Sequence, residues 1–567
     1  MFPDRHRIGC HAFGLMVLLL STCAMAQPRA GSKGDLAAAE FYAPDTVQTI
    51  RITIAKKELT RMQEALPEQI YVPGTFSWNG MTLKNVAFRY KGNSSAQPNQ
   101  PFKRSFLIKF SEYAKRQRFL GLERVALDNG IQFGGLYSEI LILEILRDLG
   151  VPVSRANYAR LYLNDEFMGI YVNVERIDEA FVGNHFDDGN GMLYKVHTGG
   201  PGADFSVAGE DPAVYAHAFE VKTHKKTANF RDLAQLMREI NETPDEAVVA
   251  KLEEVFKLDD FLWMTAVLLL GGAFDQYTGW QPHNYYVYHD PSDGRWAYIP
   301  WDLDVGFVTD AFGHIPVLEG WNAAYPLPVV PRPLLERICK NDTLLARYRE
   351  RADIVLETYF RPERLERRLD TLYALIKDDL AEDPFPPGRI TVPTDRSHAD
   401  VAPSMKEYVR LRYTKARREL DEGSVSEPID MAAMARLQQQ RPGGPGRPGR
   451  PGGPRGPGGP GGLQPGESTD QDPTALALVE VENNRVVMQW KDNAEGEAAY
   501  IVQKCVGEDC DAFNNAFPVH TPGTRLEDTE VSPGTTMRYR IYAVWPSPDG
   551  SMRCSGPSNV VTVDIPQ

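Results

Sequence analysis

At 567 residues the chain is too long for a single hydrophobic core and implies at least two domains. Lysine and arginine number 62 against 76 aspartates and glutamates, a formal net charge of −14. That balance disfavours indiscriminate nucleic-acid binding, but it leaves room for a local basic groove that takes phosphates.

Residues 1–26 carry Arg5 and Arg7, an apolar run from Ala12 to Leu20, and then Ala24-Met25-Ala26. This is the pattern of a secretory signal peptide cut before Gln27, which predicts a secreted or periplasmic/extracellular protein. The apolar run is too short to span a bilayer, so no transmembrane helix is expected there. A second reading acylates Cys23, since Leu20-Ser21-Thr22-Cys23 approximates a lipoprotein cleavage site, although Thr22 is a poor residue for it. Of the six cysteines, Cys339, Cys505, Cys510 and Cys554 stay in the mature chain. In an oxidising compartment Cys505 and Cys510 are expected to staple a short loop.

Val47 to Ile54 alternates as a strand, Lys56 to Leu66 has a helical period, and Met81 to Tyr90 is again strand-like. The small polar loop Lys91-Gly92-Asn93-Ser94-Ser95 then leads to a strand, Arg104 to Phe110. Small residues let backbone amides approach an anion, and Lys109 at the strand's end can reach back to it. An ordinary hairpin with a solvated lysine also fits this segment taken alone. Ser138 to Leu149 is an amphipathic helix with Glu144 set among apolar residues. Buried carboxylates need partners, and Lys109, Arg147 and solvent are the candidates for Glu144. Tyr158–Leu163 and Met168–Val174 form a hairpin that runs into Glu175-Arg176-Ile177-Asp178.

Helical periods dominate Leu233–Phe261, Leu334–Leu375 and Ser404–Glu422, and Phe261–Leu270 is apolar all round, as in a buried helix. Between them, Gly271–Phe307 gathers the chemistry. Asn284–Tyr288 and Arg295–Trp301 read as a hairpin, with Asp275 and Asn284 before or at its first strand and Asp302 and Asp304 closing its second, all at one hairpin base. Residues two apart in an extended chain share a face, so both aspartates can enter one pocket. Three carboxylates and an amide repel one another without a cation among them, and hard oxygen ligands suit magnesium or manganese held together with a phosphate.

Arg441–Gly466 is nearly pure Gly, Pro and Arg and is read as a linker within 421–471. Strand-like runs at Leu476–Val481, Arg485–Trp490, Ala499–Lys504, Met537–Val544 and Asn559–Val563 predict an all-β domain over 472–567. Trp490, Tyr500, Thr535-Thr536, Tyr539-Arg540 and Ser558-Asn559 resemble a fibronectin type III module, which implies a tether to surface or matrix components.

Several spaced motifs resemble the CotH family of spore-coat kinase-like proteins. They are Gly92-Asn93-Ser94-Ser95, Ser105 to Phe110, Arg147 to Pro152, Leu163-Asn164 through Gly169-Ile170-Tyr171 to Asp178, Asn284-Tyr285-Tyr286 and Trp301-Asp302-Leu303-Asp304. Lys91 stands where the family usually has arginine, which keeps the charge and loses the guanidinium fork. The resemblance implies an α+β fold, an atypical two-lobed kinase-like domain over 46–420 that transfers phosphate from ATP to protein serine or threonine with Mg or Mn. It further implies that Gly92, Asn93, Ser94, Ser95 and Lys109 hold the nucleotide phosphates, that Glu144 supports Lys109, and that Glu175 lies at the adenine-binding hinge. Asp275 would be the catalytic aspartate, and Asn284 with Asp302 or Asp304 would hold the metal. No His-Arg precedes Asp275, and Asn284 follows nine positions later, a longer spacing than in the kinase catalytic loop. A catalytically silent, kinase-shaped scaffold or adhesion protein is the alternative, and transfer of a different part of ATP is a third reading.

Overall fold

The computed structural model describes residues 38–566 apart from 93–95, 99–102, 131–135, 197–201, 280–281, 312–315, 328–331, 386–388, 390, 393 and 424–467, and apart from 483–484, 495–498, 511–512, 521–523, 529–530, 532 and 547–551. The signal-peptide segment, Asn93-Ser94-Ser95 and the Gly/Pro/Arg tract therefore lie outside the described residues. The chain divides into two compact units, Met1–Gln440 and Arg441–Gln567.

The first unit is α+β. Its N-terminal part is a closed seven-stranded barrel of β1 (Val47–Thr53), β2 (Val72–Trp78), β3 (Met81–Lys91), β4 (Ser105–Lys109), β5 (Arg124–Asp128), β6 (Ala156–Leu163) and β7 (Glu166–Val174), in the order β1-β2-β3-β4-β5-β7-β6. All neighbours are antiparallel except β1 and β6, whose parallel pairing from Val47 opposite Tyr158 to Ile52 opposite Leu163 closes the ring. The alternation read in β1 decides its faces: Ile50 and Ile52 point inward and Arg51 and Thr53 outward. Aromatic rings fill the barrel, with Phe119 edge-on to Phe41 at 4.9 Å and to Phe76 at 4.8 Å.

A second sheet runs β11-β10-β8-β9, with β8 (Met192–Val196), β9 (Phe219–Val221), β10 (Tyr285–Asp290) and β11 (Arg295–Pro300). It shares a core with the Ser138–Asp148 and Leu258–Leu270 helices and with the later helices. The Leu258–Leu270 helix is buried on nearly every side, as its composition predicts. The β10–β11 hairpin keeps its register from Tyr285 opposite Pro300 to Asp290 opposite Arg295. Lys257 pins its turn through ion pairs of 3.0 Å to Asp290 and 2.7 Å to Asp293, so the far end of the hairpin is rigid.

A buried clasp joins the barrel to the helical part. Lys103 Nζ donates to Asp383 Oδ2 at 2.7 Å and to the Ile170 carbonyl at 2.6 Å, and both charged side chains are wholly enclosed. Gly169 makes this possible: its φ is +90°, and a Cβ there would lie 2.1 Å from Asp383 Oδ2.

In the second unit, β12 (Thr474–Glu482), β13 (Arg485–Lys491) and β16 (Arg525–Asp528) form one sheet. The other contains β14 (Ala499–Val506), β15 (Asn514–His520), β17 (Thr536–Pro546), β18 (Met552–Cys554) and β19 (Val561–Asp564). All five predicted runs are strands, and Trp490, Met488, Tyr500 and Tyr539 from both sheets meet in one core. The expected Cys505–Cys510 staple is not formed. Both residues are thiols, and the buried Cys505 turns its sulfur to the Cys510 carbonyl oxygen, 3.0 Å away.

Candidate active site

The hairpin's open end is shaped by two close backbone approaches. After the Leu258–Leu270 helix, the Gly271 carbonyl accepts from Phe307 N at 2.8 Å, and a Cβ on Gly306 would sit 2.9 Å from that same oxygen. The segment carrying Asp275 thus lies against the segment carrying Asp302 and Asp304. Gln276 Nε2 fastens the two by donating to the Trp301 and Asp302 carbonyls at 3.0 and 3.3 Å. Asn284 Nδ2 donates to the Asp275 backbone oxygen at 3.0 Å and to its Oδ2 at 3.2 Å, while His283 Nε2 lies 3.3 Å from Oδ1. Asp275 is therefore held from both sides of its carboxylate. The structure brings together Asp275, Asn284, Asp302 and Asp304.

Further acids join them from the barrel side. Asp128 ends β5, and Glu139 in the first turn of the Ser138–Asp148 helix is buried, its Oε1 accepting from Leu303 N at 3.3 Å. Burial raises the Asp304 carboxyl well above the usual range, with Asp302, Glu139, Asp128 and Asp275 adding to it. Burial likewise raises Glu139, with Asp128 and Asp302 adding. Asp302 also rises through burial, although the Lys91 ammonium opposes the shift. Lys91 forms an ion pair with Asp128 and lies 5.7 Å from the centre of the Trp301 ring.

This donor set suits a hard divalent cation. Asp128 Oδ2, Glu139 Oε2 and Gln276 Oε1 are buried oxygens without a hydrogen-bond partner, a costly arrangement that a cation would relieve. Among the described residues no three His, Cys, Asp or Glu side chains are already spaced as a complete metal shell. Magnesium is commonly held by one or two carboxylates together with phosphate oxygens, so a preformed shell is not required.

The barrel residues expected at the site go elsewhere. Lys109 and Glu144 do not pair: Lys109 Nζ binds Glu112 Oε2 at 2.6 Å, and Glu144 is gripped by Arg368. Glu175 is buried and engaged by Arg155 Nη2 at 2.6 Å and His185 Nε2 at 3.1 Å. These are the partners of Lys109, Glu144 and the Glu175 carboxylate in this structure, and the expected support of Lys109 by Glu144 is not formed. Gly92, with φ of +107°, lends its carbonyl to Gln69 Nε2 at 2.6 Å.

Asp128, Glu139 and Gln276 were not foreseen as site residues, and Lys91 was read only as the loop residue that replaces the family's arginine. For Glu139 a signal existed. Glu139 and Glu144 lie five positions apart, about 140° around a helix, so they cannot share a face. The signal was the run Ile140-Leu141-Ile142-Leu143 directly after Glu139, which pulls this turn of the helix into the core and the carboxylate with it.

The family described as CotH kinase protein matches residues 88–415, more than half of the chain, and the chain belongs to that family. It is similar to the inner spore coat protein H of Bacillus subtilis (strain 168), with 22% identity over 338 residues that cover 59% of this chain and 88% of the relative. Among solved structures, the FN3 domain of human collagen XX is 16% identical and covers 18% of this chain and 98% of its own, with a TM-score of 0.15. A structure titled as a myokine is 18% identical and covers 18% of this chain and 100% of its own, also at 0.15. At that score neither likeness bears on the fold. No helix among the described residues is long and apolar enough to cross a membrane.

Proposed function

We propose that the first unit is a two-lobed, kinase-like enzyme that transfers the terminal phosphate of ATP to a serine or threonine hydroxyl of a protein acceptor. The observation that carries this reading is Asp275, held by Asn284 and His283, beside Asp302 and Asp304 and the unpartnered oxygens of Asp128 and Glu139. In it, Asp275 receives and orients the acceptor hydroxyl, its carboxylate held in place by Asn284 and His283. Asn284, Asp302 and Asp304 would hold Mg or Mn, whose chemistry is to neutralise phosphate charge. Gly92, Asn93, Ser94 and Ser95 would bind the nucleotide phosphates.

The second unit, read as a fibronectin type III-like sandwich, would tether the enzyme to surface or matrix components. A relative named for the inner spore coat supports an extracytoplasmic or surface setting, in line with the Ala24-Met25-Ala26 signal. Incubating the mature chain with γ-labelled and, separately, α-labelled ATP, with Mg or Mn, tests the reaction. Incorporation of γ-label into protein is expected. Incorporation of α-label replaces phosphoryl with nucleotidyl transfer, and no label with either metal leaves the silent scaffold.

A further inference from the structure

With Lys109 committed to Glu112, the site needs other cations to meet a phosphate chain. Two further lysines are already matched, Lys91 with Asp128 and Lys222 with Glu220. Two cations differ. Lys195 on β8 lies opposite Tyr286 of β10 and Glu220 of β9, so all three project from one face of the second sheet. Its Nζ stands 5.8 Å from the centre of the Tyr286 ring, without a hydrogen bond or ion pair among the described residues. Arg176, just past β7, lays its guanidinium 4.5 Å from the centre of the Trp301 ring. It makes one long contact, from Nη2 to the Tyr286 hydroxyl at 3.4 Å, and its buried Nε has no partner.

We infer that Lys195 and Arg176, seated on the Tyr286 and Trp301 rings beside Asp302, form the anion-binding half of this site and take the polyphosphate chain of its ligand. The inference rests on the proposed function only for the identity of that ligand. Neither cation forms a direct ion pair with a carboxylate among the described residues, the two repel each other, and an anion between them relieves that repulsion. Burial, with Arg176 next to it, pushes the Lys195 ammonium down to about 8, and a bound anion would favour its charged form. Cation–ring contacts hold both side chains while leaving most of their hydrogen-bond donors available to phosphate oxygens. The site thus offers carboxylates that suit a cation and, beside them, bases that suit an anion.

Calorimetric titration of the full chain with inorganic tripolyphosphate plus Mg, at two salt concentrations, tests the pair apart from any nucleotide chemistry. Wild type should bind, and more weakly at high salt. Lys195→Met should bind at least about ten-fold more weakly, Lys195→Arg should recover most of the loss, and Lys109→Met should match wild type. Lys195→Gln serves if the methionine variant does not fold. Absence of binding by wild type, an unchanged affinity in the uncharged Lys195 variant, or an equal loss in Lys109→Met overturns the inference. Binding of tripolyphosphate without any binding of ATP would keep the cation pair and reject the kinase reading.

Discussion

Asn284 and Asp302 share a left-handed backbone, with φ of +58° and +60°, on the two chain ends where the β10–β11 hairpin opens toward the site. Left-handed geometry costs an ordinary L-residue roughly 1–2 kcal/mol, and asparagine and aspartate bear it better than most. Strain placed at a site is retained when the side chain is needed there. Asp302→Gly should therefore unfold in urea no earlier than wild type, whereas Asp302→Val should lose about 1–2 kcal/mol. Both should lose metal-dependent ATP binding. A glycine variant clearly less stable than wild type would show that the aspartate, and not the backbone, stabilises the hairpin.

Glu139 gives a pH signature. Its carboxyl is raised in the folded protein by burial and by Asp128 and Asp302. Folding therefore takes up a proton, and the associated stability is complete below the unfolded carboxyl pKa and is lost as pH rises through the folded value. Between those limits the loss is about 1.4 kcal/mol per pH unit. Denaturation with EDTA across this range should show Glu139→Gln gaining on wild type as pH increases. Parallel curves would mean that Glu139 is already neutralised by a partner.

Glu175 has the opposite sign. Burial acts to raise its carboxyl, but His185 and Arg155 outweigh burial and leave it at about 2. Its contribution is full above the unfolded pKa and is lost as pH falls through about 2. Glu175→Gln removes the buried carboxylate that Arg155 engages and should cost roughly 3–5 kcal/mol near neutral pH. A melting temperature close to that of wild type would remove this structural assignment and reopen a ligand role for the carboxylate.

Lys109→Ala and Glu144→Ala are expected to be mild. Both ion pairs are partly exposed, so each substitution should cost less than about 1 kcal/mol. Neither variant should change ATP binding measured by titration. A loss of binding on removing Lys109 with the melting point unchanged would restore the phosphate role that its sequence position implied.

Much of this was legible in local patterns. Alternation placed Ile50 and Ile52 inside the barrel, uniform apolarity buried the Leu258–Leu270 helix, and the spacing of Asp302 and Asp304 put both at one hairpin base. The ion-pair partners were not legible, because they are chosen across the fold. Glu144 meets Arg368, a residue 224 positions away, and nothing within the Ser138–Asp148 helix could indicate that. Lys91 was noted for departing from arginine, yet its role depends on Asp128 at the end of another strand, which strand order alone brings near. Barrel closure likewise rests on a parallel pairing of β1 with β6, and a run of alternating residues does not name its neighbour.

The Lys103–Asp383 clasp sets an order of events for the growing chain. Its partners are 280 positions apart. All seven barrel strands are made by Val174, while Asp383 follows the Pro362–Glu382 helix. A chain emerging from its N-terminus therefore carries a nearly complete barrel whose enclosed ammonium has the Ile170 carbonyl and the Tyr171 ring to meet, but not yet the Asp383 carboxylate. Until the anion arrives, that barrel must stay hydrated around Lys103, so its maturation waits for the last third of the first unit to be synthesised.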